Sequence, residues 1–145
     1  MAKPLYTATA RVTGGRAAGH GVTEDGKLDV RLRHPKELGG DGNGTNPEQL
    51  FAVGYAACFS TVLNLLGARQ HITVDPVIDS AVHLIPIAGG RFKLAVELRI
   101  SLPDLENAVD LVREAHQICP YSNATRGNIE VTLLVNGAAV DATAR

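Results

Sequence analysis

The chain has no tryptophan and only three phenylalanines and three tyrosines in 145 residues. It therefore lacks the aromatic platforms on which single-stranded bases stack. Charge of one sign is missing too: 14 Lys and Arg against 15 Asp and Glu leave a net charge of −1, with no basic stripe for nucleic acid or acidic lipid. No nucleic-acid partner is expected. The N-terminus, Met1-Ala-Lys-Pro-Leu-Tyr6, has neither the apolar core nor the cleavage pattern of an export signal. The longest apolar stretch, Leu50 to Gly67, is broken by Ser60, Thr61 and Asn64 and reads as too short and too polar for a bilayer span. No membrane association is expected, and the default location is cytoplasmic. Two cysteines are too few to staple a domain of this length, and in a reducing cytosol disulfides are mostly transient and catalytic.

What is present is ordinary globular material, with 45% apolar residues and no repeat, low-complexity tract or linker, so residues 1–145 are expected to form a single domain. Phe92, Leu94, Val96, Leu98, Ile100 and Leu102 alternate with polar residues as a half-buried strand does. Ala88-Gly-Gly-Arg91 before it reads as a hairpin back to a strand at 77–87. Further strands are predicted at 5–13, 21–24, 28–33 and 129–136, with Asp25-Gly26 as a two-residue turn. A helix starts at Asn46 as N-cap, with Pro47 first and Glu48 in the first turn, and runs to Arg69. A second starts near Asp104 and is stopped by Pro120. The order is that of an α+β fold with mostly antiparallel pairing.

Cys58 and Cys119 both fall on the apolar repeat of these helices, which leaves two readings: small buried hydrophobes, or a redox couple. Cys58 lies about three turns into its helix, beyond the reach of that helix's dipole, and apolar neighbours raise a thiol's pKa. If it reacts, a cation must be brought to it. Arg16, in Gly14-Gly-Arg16-Ala-Ala-Gly-His-Gly21, has the setting of a side chain carried by a mobile loop; a plain surface arginine fits equally. Glu48 either favours the helix N-terminus or holds that guanidinium by a bidentate pair. His116 and Cys119 do not complete a tetrahedral set, and no metal or cofactor is expected. Gly39-Gly-Asp-Gly-Asn-Gly44 has no Lys-Ser/Thr after it and reads as a flexible lead-in to the Asn46 cap, not a phosphate loop.

Several segments closely resemble the organic hydroperoxide resistance (Ohr) proteins of the Ohr/OsmC superfamily. They are Thr13-Gly-Gly-Arg16, Pro35-Lys-Glu-Leu-Gly-Gly40, Gly44-Thr-Asn-Pro-Glu-Gln-Leu-Phe51, Gly54-Tyr-Ala-Ala-Cys58-Phe59 and His116-Gln-Ile-Cys119-Pro-Tyr-Ser-Asn-Ala-Thr-Arg-Gly-Asn128. Their order matches along essentially the whole chain, and the last segment favours the Ohr branch. The resemblance implies antiparallel sheets packed around a central buried helix that carries Cys58, in an intertwined homodimer. It implies a thiol peroxidase for organic hydroperoxides, fatty-acid hydroperoxides included, re-reduced by dihydrolipoyl groups on lipoylated proteins. Carried over by position, Cys58 is the peroxidatic cysteine, Cys119 the resolving one, Arg16 the activating arginine and Glu48 its partner. An apolar pocket is expected from Leu50, Phe51 and Phe59. The alternative is a non-enzymatic relative, either a redox sensor or a protein that binds small apolar ligands.

Overall fold

A computed structural model describes residues 2–142. The chain groups into two compact units, Met1–Leu50 and Phe51–Arg145. In the first, β1 (Ala10–Thr13), β2 (Ala18–Thr23) and β3 (Asp29–Arg33) form an antiparallel meander. The predicted strand at 5–13 is thus confined to its last four residues. Asp25-Gly26 does turn the chain, but within the longer loop between β2 and β3. There the Asp25 carboxylate accepts from the Lys27 amide at 3.0 Å and the Thr23 hydroxyl at 2.7 Å, an Asx turn that widens the bend.

The glycines around Arg16 have a different use from the one expected. The mobile loop read over 14–21 shrinks to a turn between β1 and β2, because Gly19 and Gly21 are strand residues. A Cβ on Gly19 would lie 1.9 Å from the Gly15 carbonyl oxygen, so this glycine serves close approach of two backbones rather than flexibility. The lead-in to the first helix is likewise fixed. A 3-10 turn at Lys36–Leu38 is followed by Thr45, whose amide donates to the Arg31 carbonyl at 2.8 Å and whose carbonyl accepts from the Arg33 amide at 2.9 Å.

Helix α1 (Pro47–Arg69) begins where predicted, with the Asn46 side-chain oxygen accepting from the Gln49 amide at 2.9 Å. Its 23 residues include a stretch of mean hydropathy 1.7, which corrects the expectation drawn from Ser60, Thr61 and Asn64. By length and composition alone the helix could cross a bilayer, and it is the only such helix among the described residues. Much of that apolar surface is used inside the protein: Tyr55, Phe59, Val62, Leu63 and Leu66 enter the core of the second unit.

That core is completed by a four-stranded sheet in the order β4 (Val77–Ile87), β5 (Arg91–Ser101), β6 (Glu130–Val135), β7 (Ala138–Val140). Val96, Leu98, Ile100 and Leu102 are buried as the alternation predicted, while Phe92 at the strand's start is exposed. The fold is α+β, but β5 and β6 pair in parallel. A parallel pair needs a crossover connection, and α2 (Ala108–Ile118) and α3 (Pro120–Thr125) lie in it. Strand β7 adds to the predicted strands, and its signal is in the sequence. Asn136 and Gly137, at φ 49° and 86°, form the two-residue loop after β6, and Asn-Gly is the strongest short hairpin signal.

Candidate active site

Pro120 both stops one helix and opens another. Its fixed φ suits the first helical position, so α3 begins with a single residue between it and the end of α2 at Ile118. Cys119 is the corner between them, with extended backbone (φ −63°, ψ 126°), closing α2 and opening α3. It is not the last-turn helical residue that the apolar repeat suggested. Its side chain is wholly buried and donates toward the Cys58 sulfur, 3.7 Å away. Both thiols are free.

Cys58, halfway along α1, is partly buried. Burial is the main reason its thiol is pushed above the ordinary value, and the neighbouring Cys119 adds to the rise. Opposing this, the Tyr121 backbone amide hydrogen-bonds the Cys58 sulfur. The amide belongs to the first turn of α3, where backbone N–H groups lack helical partners. The dipole argument made for α1 remains correct for α1; the donor comes from another helix, which no spacing along α1 could reveal.

In the first unit Arg16 and Glu48 meet as expected, though through one contact, Nη2 to Oε1 at 2.7 Å, rather than a fork. Arg16 keeps a third of its side-chain surface in solvent, against 17% for Glu48. A pair this open contributes about 1 kcal/mol or less to stability. Of the predicted pocket residues, Leu50 and Phe51 are half-buried in the first turns of α1, while Phe59 is fully enclosed in the core. Phe51 instead joins Tyr55 and Tyr121 in an aromatic cluster with centroids 5.6–6.2 Å apart.

A polar network behind the thiols was not foreseen. The Ser122 hydroxyl, with no exposed surface, hydrogen-bonds the Tyr55 hydroxyl at 2.7 Å and His116 Nδ1 at 2.8 Å. Thr125 Oγ1 lies 3.3 Å from the Tyr55 hydroxyl and donates to the Ser122 carbonyl at 3.1 Å. Arg126 donates from Nη2 to the His116 carbonyl at 2.6 Å, satisfying an acceptor in the last turn of α2. Removing one member would leave a buried group unpaired, at a cost of about 1–3 kcal/mol. These residues lie within the segments that carried the resemblance, but one sequence cannot show which hydroxyl meets which ring.

Burial, and then the Arg126 charge, hold the His116 pKa below its usual value. The neutral imidazole is therefore favoured by folding. Its contribution is fully present above the unfolded value of about 6.5 and is lost as pH falls toward the folded pKa, because the unfolded chain then binds the extra proton. Melting temperature should fall between pH 7 and 5 more steeply in the wild type than in His116→Asn, measured by circular dichroism. Equal slopes would remove His116 as the source.

Among the described residues no three His, Cys, Asp or Glu side chains are grouped so as to hold a metal ion. The thiol pair and its amide donor define a cysteine-centred site in the second unit, and comparison with known proteins gives the chain a family. Residues 40–134 match the family described as OsmC-like protein. An organic hydroperoxide resistance protein of Xanthomonas axonopodis pv. citri is 53% identical over 136 residues, spanning 90% of this chain and 94% of that protein. The protein OhrB of Bacillus subtilis is 46% identical, over 89% of this chain and 96% of its own. The crystal structure of OhrB superposes with a TM-score of 0.83 over 91% of this chain and 99% of that one, at 44% identity. An organic hydroperoxide resistance protein from Elizabethkingia anophelis, crystallised with thiocyanate bound, gives 0.86 at 47% identity, over 92% of this chain and 98% of that one. The chain belongs to the Ohr/OsmC superfamily of organic hydroperoxide resistance proteins.

Proposed function

We propose that the chain is a cysteine-based peroxidase that reduces organic hydroperoxides, including those of fatty acids, to alcohols. The observation that carries this reading is the 3.7 Å separation of the Cys119 and Cys58 sulfurs, the first buried and the second partly buried with one backbone amide donor. The Cys58 thiolate attacks one peroxide oxygen; the O–O bond breaks, the alcohol leaves with a proton, and Cys58 becomes a sulfenic acid. The Cys119 thiol then displaces the sulfenic hydroxyl as water and forms a disulfide. A disulfide is about 2.05 Å long, so the sulfurs need to close by less than the width of one atom.

A dihydrolipoyl group, as dihydrolipoamide or on a lipoylated protein, returns both cysteines to thiols and leaves as the cyclic lipoyl disulfide. Its first attack falls on the Cys119 sulfur, since the thiol of lower pKa is the better leaving group, and Cys58 takes that role once a cation stabilises it. Arg16 supplies the cation and Glu48 orients it. Leu50 and Phe51, half-buried at the start of α1, receive the alkyl tail, and Phe59 contributes from within the core. In this reading Arg16→Ala raises the Cys58 pKa and lowers peroxidase activity about 10²–10³-fold, the range of a mispositioned or lost charge-stabilising group. Glu48→Gln is milder. Titration of thiolate absorbance in both variants checks the assignment, and a Cys58 pKa unmoved by Arg16→Ala refutes it.

The working form in this proposal is a cytoplasmic homodimer. Apolar side chains that the single chain leaves exposed support the second copy. Val53 on α1 is 71% exposed and borders a groove of about 440 Å³ that Ala56, Ala57 and Ile78 also line. Leu5 and Tyr6 are also open to solvent. Light scattering should give twice the 15.3 kDa chain mass, and a monomer at micromolar concentration would contradict the proposal. The activity itself is tested by consumption of tert-butyl or linoleic hydroperoxide at steady state, with dihydrolipoamide compared against thioredoxin. Sustained turnover with the lipoyl reductant is expected, and no turnover with either would overturn the reading.

A further inference from the structure

The proposed chemistry uses two sulfurs that approach without touching, and something must hold the corner that carries one of them. Cys119 is fixed by neither helix as an interior residue: the Ala115 carbonyl accepts its amide at 2.8 Å, and its own carbonyl accepts the Asn123 amide at 2.9 Å. Ser122, three residues further on, is the one side chain among the described residues whose hydroxyl contacts both Tyr55 on α1 and His116 on α2. It therefore spans the helix of Cys58 and both helices that meet at Cys119.

We infer that Ser122 is the positioning residue of the resolving step. Its hydroxyl, bonded to Tyr55 and His116, holds the α2–α3 corner so that the Cys119 sulfur stays in line with the Cys58 sulfenic acid. The inference rests on the peroxidase reading above. All participants are nearly dry: Tyr55 and Ser122 have no exposed surface, Thr125 has 2% and His116 7%. Water therefore cannot replace a lost hydroxyl without rearrangement. One oxygen with one proton can serve both neighbours because the Ser122 hydroxyl donates to one and accepts from the other. A resolving thiol displaced by about 1 Å loses about 10²-fold in rate, whereas the first step needs no group on this corner other than a backbone amide.

The test separates the two half-reactions in Ser122→Ala and in Tyr55→Phe, the latter removing one hydroxyl while keeping the ring in its packing. Stopped-flow mixing with cumene hydroperoxide follows alcohol release, and acid-quenched mass spectrometry follows Cys58 sulfenic acid and the disulfide. In both variants we expect alcohol release within twofold of the wild-type rate, disulfide formation slowed 10–100-fold, and Cys58 passing to sulfinic acid at peroxide excesses the wild type survives. If Ser122→Ala does not fold, Tyr55→Phe decides. Disulfide formation at the wild-type rate, or equal slowing of both steps, would overturn the inference. Absence of any sulfenic acid or alcohol burst in the wild type would instead overturn the peroxidase reading beneath it.

Discussion

Cys58→Ser is expected to consume organic hydroperoxide no faster than buffer does, measured with tert-butyl hydroperoxide and dihydrolipoamide in excess. The serine hydroxyl is nearly isosteric, so the partly buried place on α1 and the surrounding core should survive, and melting should stay close to that of the wild type. What disappears is the nucleophile. A thiol has a pKa of about 8.5 and is ionised to a few per cent at neutral pH even without help, whereas an aliphatic alcohol is essentially never ionised there. The peroxide bond also requires a polarisable attacking atom that can accept an oxygen and remain stable as a sulfenic acid. Burial raises the Cys58 pKa, which makes the residue slower than it would be alone and makes its supporting donors necessary. Residual turnover above buffer would place the chemistry at Cys119 or elsewhere.

Cys119→Ser should behave in the opposite way. One equivalent of alcohol per chain is released at the wild-type rate, and then turnover stops. The sulfenic acid at Cys58 has no internal thiol 3.7 Å away to condense with, and it accumulates until it is trapped by dimedone or driven to the sulfinic acid, which is irreversible without dedicated repair. Loss of the first burst as well would show that Cys119 assists peroxide attack, not only resolution. Together the two substitutions assign attacker and resolver by time course rather than by total activity.

Much of this arrangement was legible beforehand. The Asn46-Pro47 start placed α1 to the residue, since a cap and a first-turn proline act locally. The alternation in 92–102 gave β5 because a sheet with one wet face writes its period into the sequence. The resemblance named the two thiols, Arg16 and Glu48. What stayed hidden depends on pairings between distant segments. The parallel joining of β5 to β6 leaves no mark in either strand. The amide that reaches Cys58 comes from Tyr121, and the motif around it fixes residue types but not which atoms meet. Pro120 reads in the sequence as a breaker, although the same fixed φ that ends α2 begins α3. Gly19 looked like a hinge because a glycine that permits motion and one that permits close contact are spelled alike.

The two cysteines lie 61 residues apart in sequence, and the corner bearing the second sits in the crossover that β5 and β6 close. At a synthesis rate of about 5–20 residues per second, Cys58 is made several seconds before Cys119. During that interval neither the thiol proposed to pair with Cys58 nor the Tyr121 amide that hydrogen-bonds its sulfur exists, so the proposed chemistry waits for the chain to pass residue 121.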